Sequence, residues 1–176
     1  HYCWQHLRLQ MKQLTLIRHA EAGQIIGQSD FERTLSDRGQ LEARSMGLWL
    51  RAQQCPFDRI FCSTAERARQ TAHLLFAEQD YHKNELTHDP LLYDFDMNSV
   101  FHFLECLDDD FEQVALVGHN PALSDLTALL CKSLKTSLPT CAIVQLRLNI
   151  SEWIEVKSGC ADLIAFEYPG KQLTNG

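Results

Sequence analysis

The sequence predicts a single-domain α/β fold, a three-layer sandwich in which helices cover both faces of a mixed, mostly parallel sheet. Short apolar runs alternate with segments of helical periodicity through residue 130, which is typical of parallel strands joined by helices. After residue 141 the alternation of apolar and polar residues indicates successive antiparallel strands at one edge of the sheet. A chain of 176 residues is long enough to bury one substantial core.

The composition argues against several classes of function. The formal net charge of −7 argues against a broad nucleic-acid-binding surface, so no nucleic-acid partner is expected. No apolar run approaches the roughly 18 residues that a membrane span needs, so no membrane partner is expected either. The seven scattered cysteines form no C-x-x-C pair, which favours reduced thiols in a cytoplasmic protein. We expect a monomer whose domain covers residues 12–168, with an extension at residues 1–11 and a tail at residues 169–176.

The first predicted strand, Leu14 to Ile17, ends in Arg18 and His19. In an open α/β sheet the reactive groups lie beyond the carboxyl ends of the strands. The next segment, residues 23–34, is polar and contains Asp30 as a turn former, so it predicts a loop over this edge of the sheet.

The first helix is predicted to begin near Ser36, with Asp37 and Gln40 at a spacing similar to that of the capping box. A helical repeat assigns three residues to its buried face: Leu41, Leu48 and Ala52. The second strand, residues 59–62, leads into a helix for which Ser63 and Thr64 are the predicted caps. The buried stripe predicted for this second helix consists of Ala65, Ala68, Ala72, Leu75 and Phe76.

The polar segment that follows has room for one short strand near Leu86. A third helix is predicted by five apolar residues at helical spacing: Met97, Val100, Phe101, Leu104 and Leu107. Residues 114–118 form the strongest buried-strand pattern, followed by Asn120 as a helix cap and Pro121 at the first helical position. The last helix directs Leu123, Leu126 and Leu130 to the core, and residues 142–148, 153–156 and 160–168 are predicted as antiparallel strands.

Three predicted strands end at reactive side chains. The first ends at Arg18 and His19, the second runs into Ser63 with Arg67 one helical turn further on, and the third ends at His119. If these strands are parallel neighbours, two arginines and two histidines converge beside helix amino termini, an arrangement that favours an anion. Two guanidinium groups indicate phosphate or carboxylate, and a neutral imidazole can attack phosphorus. Each residue alone has an ordinary structural explanation, but four at corresponding strand ends favour a phosphate site.

Four motifs carry a resemblance to the histidine phosphatase superfamily. The segment Leu16 to Glu21 resembles its R-H-G signature, and Ser63 to Thr71 resembles its S-x-x-x-R-A-x-x-T element. The segment Val117 to Pro121 resembles its second-histidine motif, and Leu35 to Gly39 is similar to its L-[ST]-x-x-G helix start. The short chain, together with residues 138–140 before an edge strand, resembles the SixA-like branch of bacterial phosphohistidine phosphatases.

The resemblance implies that His19 is the nucleophile and becomes phosphohistidine. It implies that Arg18, Arg67 and a protonated His119 hold the phosphoryl group during transfer, so no metal and no cofactor are expected. The implied substrate is a phosphorylated protein that carries phosphohistidine, with a phosphorylated small molecule as the alternative.

Two positions depart from the pattern of the family. Ala20 replaces the usual glycine after the histidine, and its methyl group excludes a comfortable positive φ. The proton donor for the leaving group is less defined: Asp94 or Asp96 is a candidate, and the alternative is that both cap the helix near Met97. Because imidazole needs less protonation than an alkoxide, a missing acid would favour phosphohistidine substrates.

Three alternatives remain open from the sequence. Cys62 and Arg67 are similar to the C-x5-R cradle of cysteine phosphatases, although the spacing is one residue short. The same fold can also act on small phosphate esters. A non-catalytic module that binds phosphorylated partners is the third alternative.

Overall fold

The computed structural model describes residues 11–77 and 86–171. Its strands are β1 (Lys12–Arg18), β2 (Arg59–Cys62), β3 (Leu86–His88), β4 (Gln113–Gly118), β5 (Ile143–Leu148) and β6 (Ala161–Glu167). Its α-helices are α1 (Asp37–Ala52), α2 (Glu66–Leu75), α3 (Met97–Glu105) and α4 (Ala122–Leu130). The predicted extension at residues 1–11 lies outside the described residues except for Met11, and the predicted tail lies outside them from residue 172 onward.

The six described strands form one sheet in the order β3-β2-β4-β1-β5-β6. The first four strands in this order are parallel to one another. β5 is antiparallel to β1, and β6 is antiparallel to β5. The predicted α/β fold class, with a mostly parallel sheet and an antiparallel edge, is therefore confirmed.

The central strand β1 separates two apolar layers, because successive side chains of a strand point to opposite faces. Leu14 and Leu16 pack in the layer that contains the buried faces of α3 and α4. Ile17 packs on the opposite side with α1 and α2. The predicted stripe of α2 and the three predicted leucines of α4 are all buried.

The buried face predicted for α1 is wrong. Leu41, Leu48 and Ala52 are exposed, whereas the buried face combines two glycines, one carboxylate and three apolar residues: Gly39, Glu42, Ala43, Met46, Gly47 and Leu50. The helix packs so closely on its neighbours that a Cβ added at Gly47 would lie 2.8 Å from a backbone oxygen of α2. Close backbone approach at Gly47 favours this face together with the burial of Met46 and Leu50.

Two helix starts also differ from the prediction. The N-cap of α1 is Ser36, whose Oγ accepts a hydrogen bond from the Gly39 amide at 3.1 Å, rather than Asp37. Pro121 lies at the N-cap of α4 and not at its first helical position.

The strand predicted at residues 153–156 is a 3-10 turn, Trp153–Glu155. The amide of Trp153 donates to Asp109 Oδ1 at 2.8 Å, and its indole nitrogen donates to the Phe111 carbonyl at 2.8 Å. These bonds join the buried Trp153 to the segment before β4 and hold it in the turn. No helix in the described part of the chain is long and apolar enough to cross a membrane.

Candidate active site

Three parallel strands bring the four predicted site residues to one edge of the sheet. Arg18 at the end of β1 is in register with Gly118 at the end of β4, so His19 and His119 follow at the same level. The centroids of their rings lie 5.1 Å apart. Arg67, in the first turn of α2, places its Nε 3.4 Å from Nε2 of His19.

The backbone holds the ring of His19 in one tautomer. Its Nδ1 lies 2.7 Å from the carbonyl oxygen of Ala20, which can only accept, so Nδ1 carries the hydrogen. The lone pair is therefore on Nε2. The pKa of His19 is lowered to about 4, chiefly by burial and also by the positive charges of Arg67 and Arg18. The ring is neutral near pH 7, with Nε2 as its nucleophilic atom.

Arg67 is almost completely buried, and each nitrogen of its guanidinium group has a partner. Nη1 donates to the carbonyl oxygen of Asp30 at 2.7 Å, and Nη2 donates to Asp30 Oδ2 at 3.1 Å. Nε donates to His19 Nε2. Each Nη nitrogen carries a second hydrogen, so the group can bind an oxyanion while it keeps these contacts.

Arg18 is held by a backbone oxygen and lies within the electrostatic influence of one carboxylate. Its Nη1 donates to the Leu138 carbonyl at 2.7 Å. Burial lowers the pKa of Arg18, and the negative charge of Glu42 opposes that change. Glu42 also accepts hydrogen bonds from the amide of Glu21 at 2.9 Å and from Thr140 Oγ1 at 3.0 Å. One buried carboxylate thus joins helix α1 to the loop that follows β1.

His119 is buried, and among the described residues its ring has one hydrogen-bond partner, Ser63, whose Oγ lies 2.7 Å from Nε2. Ser63 was predicted as a helix cap; its Oγ does accept from the Ala65 amide at 3.2 Å, but Ala65 is the N-cap of α2. Burial, together with the charges of His19 and Arg67, lowers the pKa of His119 to about 3. His119 is therefore neutral at pH 7 in this site, whereas the resemblance implies a protonated ring.

Two buried side-chain nitrogens have no hydrogen-bond partner among the described residues: Arg18 Nε and His119 Nδ1. Buried polar atoms in folded proteins nearly always have partners. Both nitrogens belong to the side chains predicted to hold phosphate, and the oxygens of a bound phosphoryl group are acceptors that suit them. The negative charge of such a group would also raise the pKa of His119 and favour its protonated form.

The sequence alone did not identify the carboxylate that binds Arg67. Asp30, treated as a turn former, lies in a 3-10 turn, and its Oδ2 accepts from Arg67 and from the hydroxyl of Tyr93 at 2.8 Å. Burial raises the pKa of Asp30, but the hydrogen bonds from Tyr93 and Arg67 outweigh it and lower the pKa to about 2. The one available signal was an acid in a loop predicted to cover a basic pocket.

The candidate proton donors Asp94 and Asp96 lie in the turn before α3. Asp96 is the N-cap of α3, where its carboxylate accepts from the Asn98 amide at 2.9 Å. Asp94 accepts from the Asp96 amide at 3.0 Å and from Ser99 Oγ at 2.8 Å. These hydrogen bonds lower the pKa of Asp94. The contacts are those expected from the helix-capping alternative.

The other candidate nucleophile, Cys62, has an unfavourable environment. Its side chain is buried, and burial raises the pKa of the thiol to about 12. A thiolate is therefore disfavoured near pH 7, which argues against the cysteine-phosphatase alternative. Within residues 11–77 and 86–171, no group of three or more His, Cys, Asp or Glu side chains is placed to hold a metal ion.

Comparison with known proteins gives a consistent result. The sequence model of the histidine phosphatase superfamily (branch 1) matches residues 14–101. An uncharacterised protein of Mycobacterium tuberculosis is 33% identical over 165 residues, which cover 87% of this chain and 99% of that protein.

Solved structures share the fold over nearly the whole chain. The protein histidine phosphatase SixA, complexed with tungstate, has a TM-score of 0.77 at 25% identity, covering 91% of this chain and 99% of that one. A putative α-ribazole-5′-phosphate phosphatase from Escherichia coli has a TM-score of 0.67 at 19% identity, covering 89% and 96%. The second likeness is one of fold alone.

Proposed function

The chain belongs to the histidine phosphatase superfamily and is a SixA-like hydrolase acting on phosphoryl groups, and from this premise we propose that it dephosphorylates phosphohistidine on a protein substrate. His19 is the proposed nucleophile. The observation that carries the proposal is the fixed tautomer of His19, because the hydrogen bond from Nδ1 to Ala20 leaves the lone pair on Nε2 beside Arg67.

The proposed reaction has two displacements at phosphorus. His19 Nε2 first forms a bond to phosphorus while the P–N bond of the substrate breaks, and its electron pair stays on the leaving imidazole nitrogen. Water then attacks the phosphorus, the bond from phosphorus to His19 Nε2 breaks with its electron pair returning to Nε2, and both hydrogens of the water leave with the inorganic phosphate. Arg18, Arg67 and His119 hold the phosphoryl oxygens in both steps, so the charge that spreads over those oxygens meets fixed donors.

His119 has a second proposed role besides holding phosphate. In the free site it is neutral, because burial and the surrounding positive charges lower its pKa to about 3. A phosphoryl group adds negative charge within contact of the ring, so binding favours uptake of a proton by His119. The protonated ring then contributes a full positive charge only when the substrate is in place.

Phosphohistidine is preferred over phosphate esters in this proposal because of the leaving group. An alkoxide needs a proton from the enzyme, whereas imidazole leaves readily once its other nitrogen is protonated. Asp94 and Asp96 are occupied with hydrogen bonds at the start of α3, and Asp30, whose pKa is lowered to about 2, is ionised near neutral pH. Asp94 is therefore not part of the proposed mechanism.

A substrate panel tests the proposal. We expect kcat/KM for a phosphohistidine peptide to exceed that for phosphoserine peptide and for sugar phosphates by at least about 100-fold, the equivalent of about 2.7 kcal/mol in transition-state stabilisation. His19→Ala should remove activity on all of them. Higher kcat/KM for a sugar phosphate would instead support the small-molecule alternative.

A further inference from the structure

We propose that Asp30, Phe31, Tyr93 and Phe95 form a leaving-group subsite, which binds the imidazole ring of phosphohistidine beside the phosphate pocket. The subsite rests on the proposed function, since it concerns the ring that departs when His19 takes the phosphoryl group. It is built from two loops that precede α1 and α3, and none of its four residues was predicted as part of the site.

The carboxylate of Asp30 lies between the buried phosphate pocket and the surface. Its partner Arg67 has a side chain only 3% exposed, whereas the side chain of Asp30 is 46% exposed. Oδ2 accepts from Arg67 and Tyr93, and Oδ1 accepts from Arg33 Nη1 at 3.2 Å. Oδ2 thus uses both of its lone pairs, whereas Oδ1 has a second lone pair that none of these three donors occupies. Asp30 can therefore accept a hydrogen bond from a group that approaches from solvent.

Three aromatic rings connect this carboxylate to His119. Phe31 meets Tyr93 edge to face with centroids 5.4 Å apart, and Tyr93 lies 5.7 Å from Phe95. Tyr93 and Phe95 in turn contact the ring of His119 at 5.6 Å and 5.4 Å. Phe31 and Phe95 remain 45% and 43% exposed, although both are large apolar side chains. Exposed aromatic rings that border a charged pocket are typical of a binding surface.

The chemistry of the proposed substrate matches these groups. Phosphohistidine presents a flat ring that is positively charged when the nitrogen distant from phosphorus is protonated. Aromatic rings attract such a cation, and a carboxylate accepts its N–H. When the P–N bond breaks, the electron pair stays on the ring nitrogen, so the ring leaves as neutral imidazole with no further proton from the enzyme.

The structural alternative is that Asp30 only orients Arg67 and that the aromatic residues only pack on His119. Either role would affect every substrate to the same extent. A subsite for the ring would instead affect substrates that carry the ring more than substrates that lack it. Phosphoramidate has the same P–N bond as phosphohistidine without a ring, so the ratio of the two kcat/KM values isolates recognition of the ring.

The experiment measures this ratio, phosphohistidine peptide over phosphoramidate, for the full chain and three variants. Asp30→Asn removes the charge, and Phe95→Leu replaces the aromatic ring by an aliphatic side chain. Ile26→Ala is the matched control, because Ile26 is fully exposed in the same loop as Asp30 and has no part in the subsite. We expect the ratio to fall about tenfold in each of the first two variants and to stay within twofold in the control.

An unchanged ratio in both Asp30→Asn and Phe95→Leu would overturn the subsite, even if both variants lose activity, because equal losses indicate a purely structural role. That result would leave the proposed function intact. If the unaltered protein hydrolyses phosphoramidate but not the phosphohistidine peptide, the proposed substrate itself fails and the subsite fails with it.

Discussion

Thr71 connects the backbone beside His19, the proposed nucleophile, to the backbone of Arg67. The amide of Ala20, directly after His19, donates to Thr71 Oγ1 at 2.9 Å. The same hydroxyl donates to the carbonyl oxygen of Arg67 at 2.7 Å. Thr71 is completely buried, so water cannot replace either contact. One side chain therefore links the backbone beside His19 to that of Arg67, two residues that act on the same phosphorus in the proposed mechanism.

Thr71→Val should lower the free energy of unfolding by about 1–3 kcal/mol, because it leaves the buried amide of Ala20 without an acceptor. It should also lower kcat, since the loop that bears His19 loses its support. Thr127→Val is the matched control: Thr127 is equally buried, but its hydroxyl only donates to the Leu123 carbonyl within its own helix.

Urea unfolding and steady-state kinetics measure the two effects. The control should lose less than about 1 kcal/mol and keep its kcat, because the Leu123 carbonyl has another donor in the helix. Equal losses in the two variants would show that the contact with Ala20 has no special importance.

Among individual residues, the sequence indicated the candidate site residues that belong to motifs. It did not indicate the residues that contact them only through the tertiary structure. Arg18, His19, Arg67 and His119 were identified because each follows a recognisable strand or helix start. Asp30 lies 37 residues from Arg67 along the chain, and nothing in the local pattern connects the two. The burial of Glu42 was equally hidden, because a carboxylate on a helix is normally assigned to solvent.

Among the secondary-structure elements, the first turn of α1 packs closely against the backbone that follows His19. A Cβ added at Gly39 would lie 2.0 Å from the carbonyl oxygen of Glu21. The amide of Ser36 donates to the same carbonyl at 3.0 Å. The helix thus depends on glycine for its contact with the segment that follows His19.

Gly39→Ala should therefore lower both stability and activity, because α1 or the His19 loop must move to relieve the clash. We expect a loss of about 1–3 kcal/mol in the free energy of unfolding, the range for an overpacked contact. Gly23→Ala is the control. Gly23 lies in the loop after His19, and a Cβ added there would meet nothing nearer than 3.9 Å.

Thermal unfolding and kcat/KM should separate these variants, with Gly23→Ala close to the unaltered protein. If Gly39→Ala shows the same Tm and kcat/KM as the control, the close contact between α1 and Glu21 is not required for either property.

The strands were largely predictable at this scale, and the face of α1 was not. Apolar runs such as residues 114–118 leave no alternative to a buried strand, because they are too short for a buried helix. In α1 the two leucines at positions 41 and 48 suggested a buried face, but they are exposed. Glycine and alanine face α2 and the His19 loop instead, and a hydrophobic pattern does not detect close backbone packing.

At the scale of the whole molecule, the fold buries two neutral histidines among arginines. Their pKa values, about 4 for His19 and about 3 for His119, lie below the value of about 6.5 expected in an unfolded chain. At pH values between about 4 and 6.5 the two histidines therefore bind more protons in the unfolded state than in the folded state. The free energy of unfolding therefore decreases as the pH falls from about 6.5 towards 4.

We expect the Tm to fall by at least about 5 °C between pH 7 and pH 5, since each pKa unit is worth about 1.4 kcal/mol. Inorganic phosphate should reduce this fall, because a bound anion favours the protonated form of His119. Replacement of both histidines by glutamine should reduce the fall by at least half. An equally steep decrease in that double variant would assign the pH dependence to other groups.

In the proposed mechanism the phosphoryl group is bonded covalently to His19 before water releases it. Rapid quenching can trap this intermediate. The protein is mixed with a phosphohistidine peptide labelled on phosphorus, quenched in base within milliseconds, and digested for mass spectrometry. Phosphoramidates survive base and decompose in acid, so a phosphorylated His19 should appear as an acid-labile label on the peptide that contains it. We expect this label in the unaltered protein and none in His19→Ala. A label on Cys62 or His119, or turnover by His19→Ala, would contradict it.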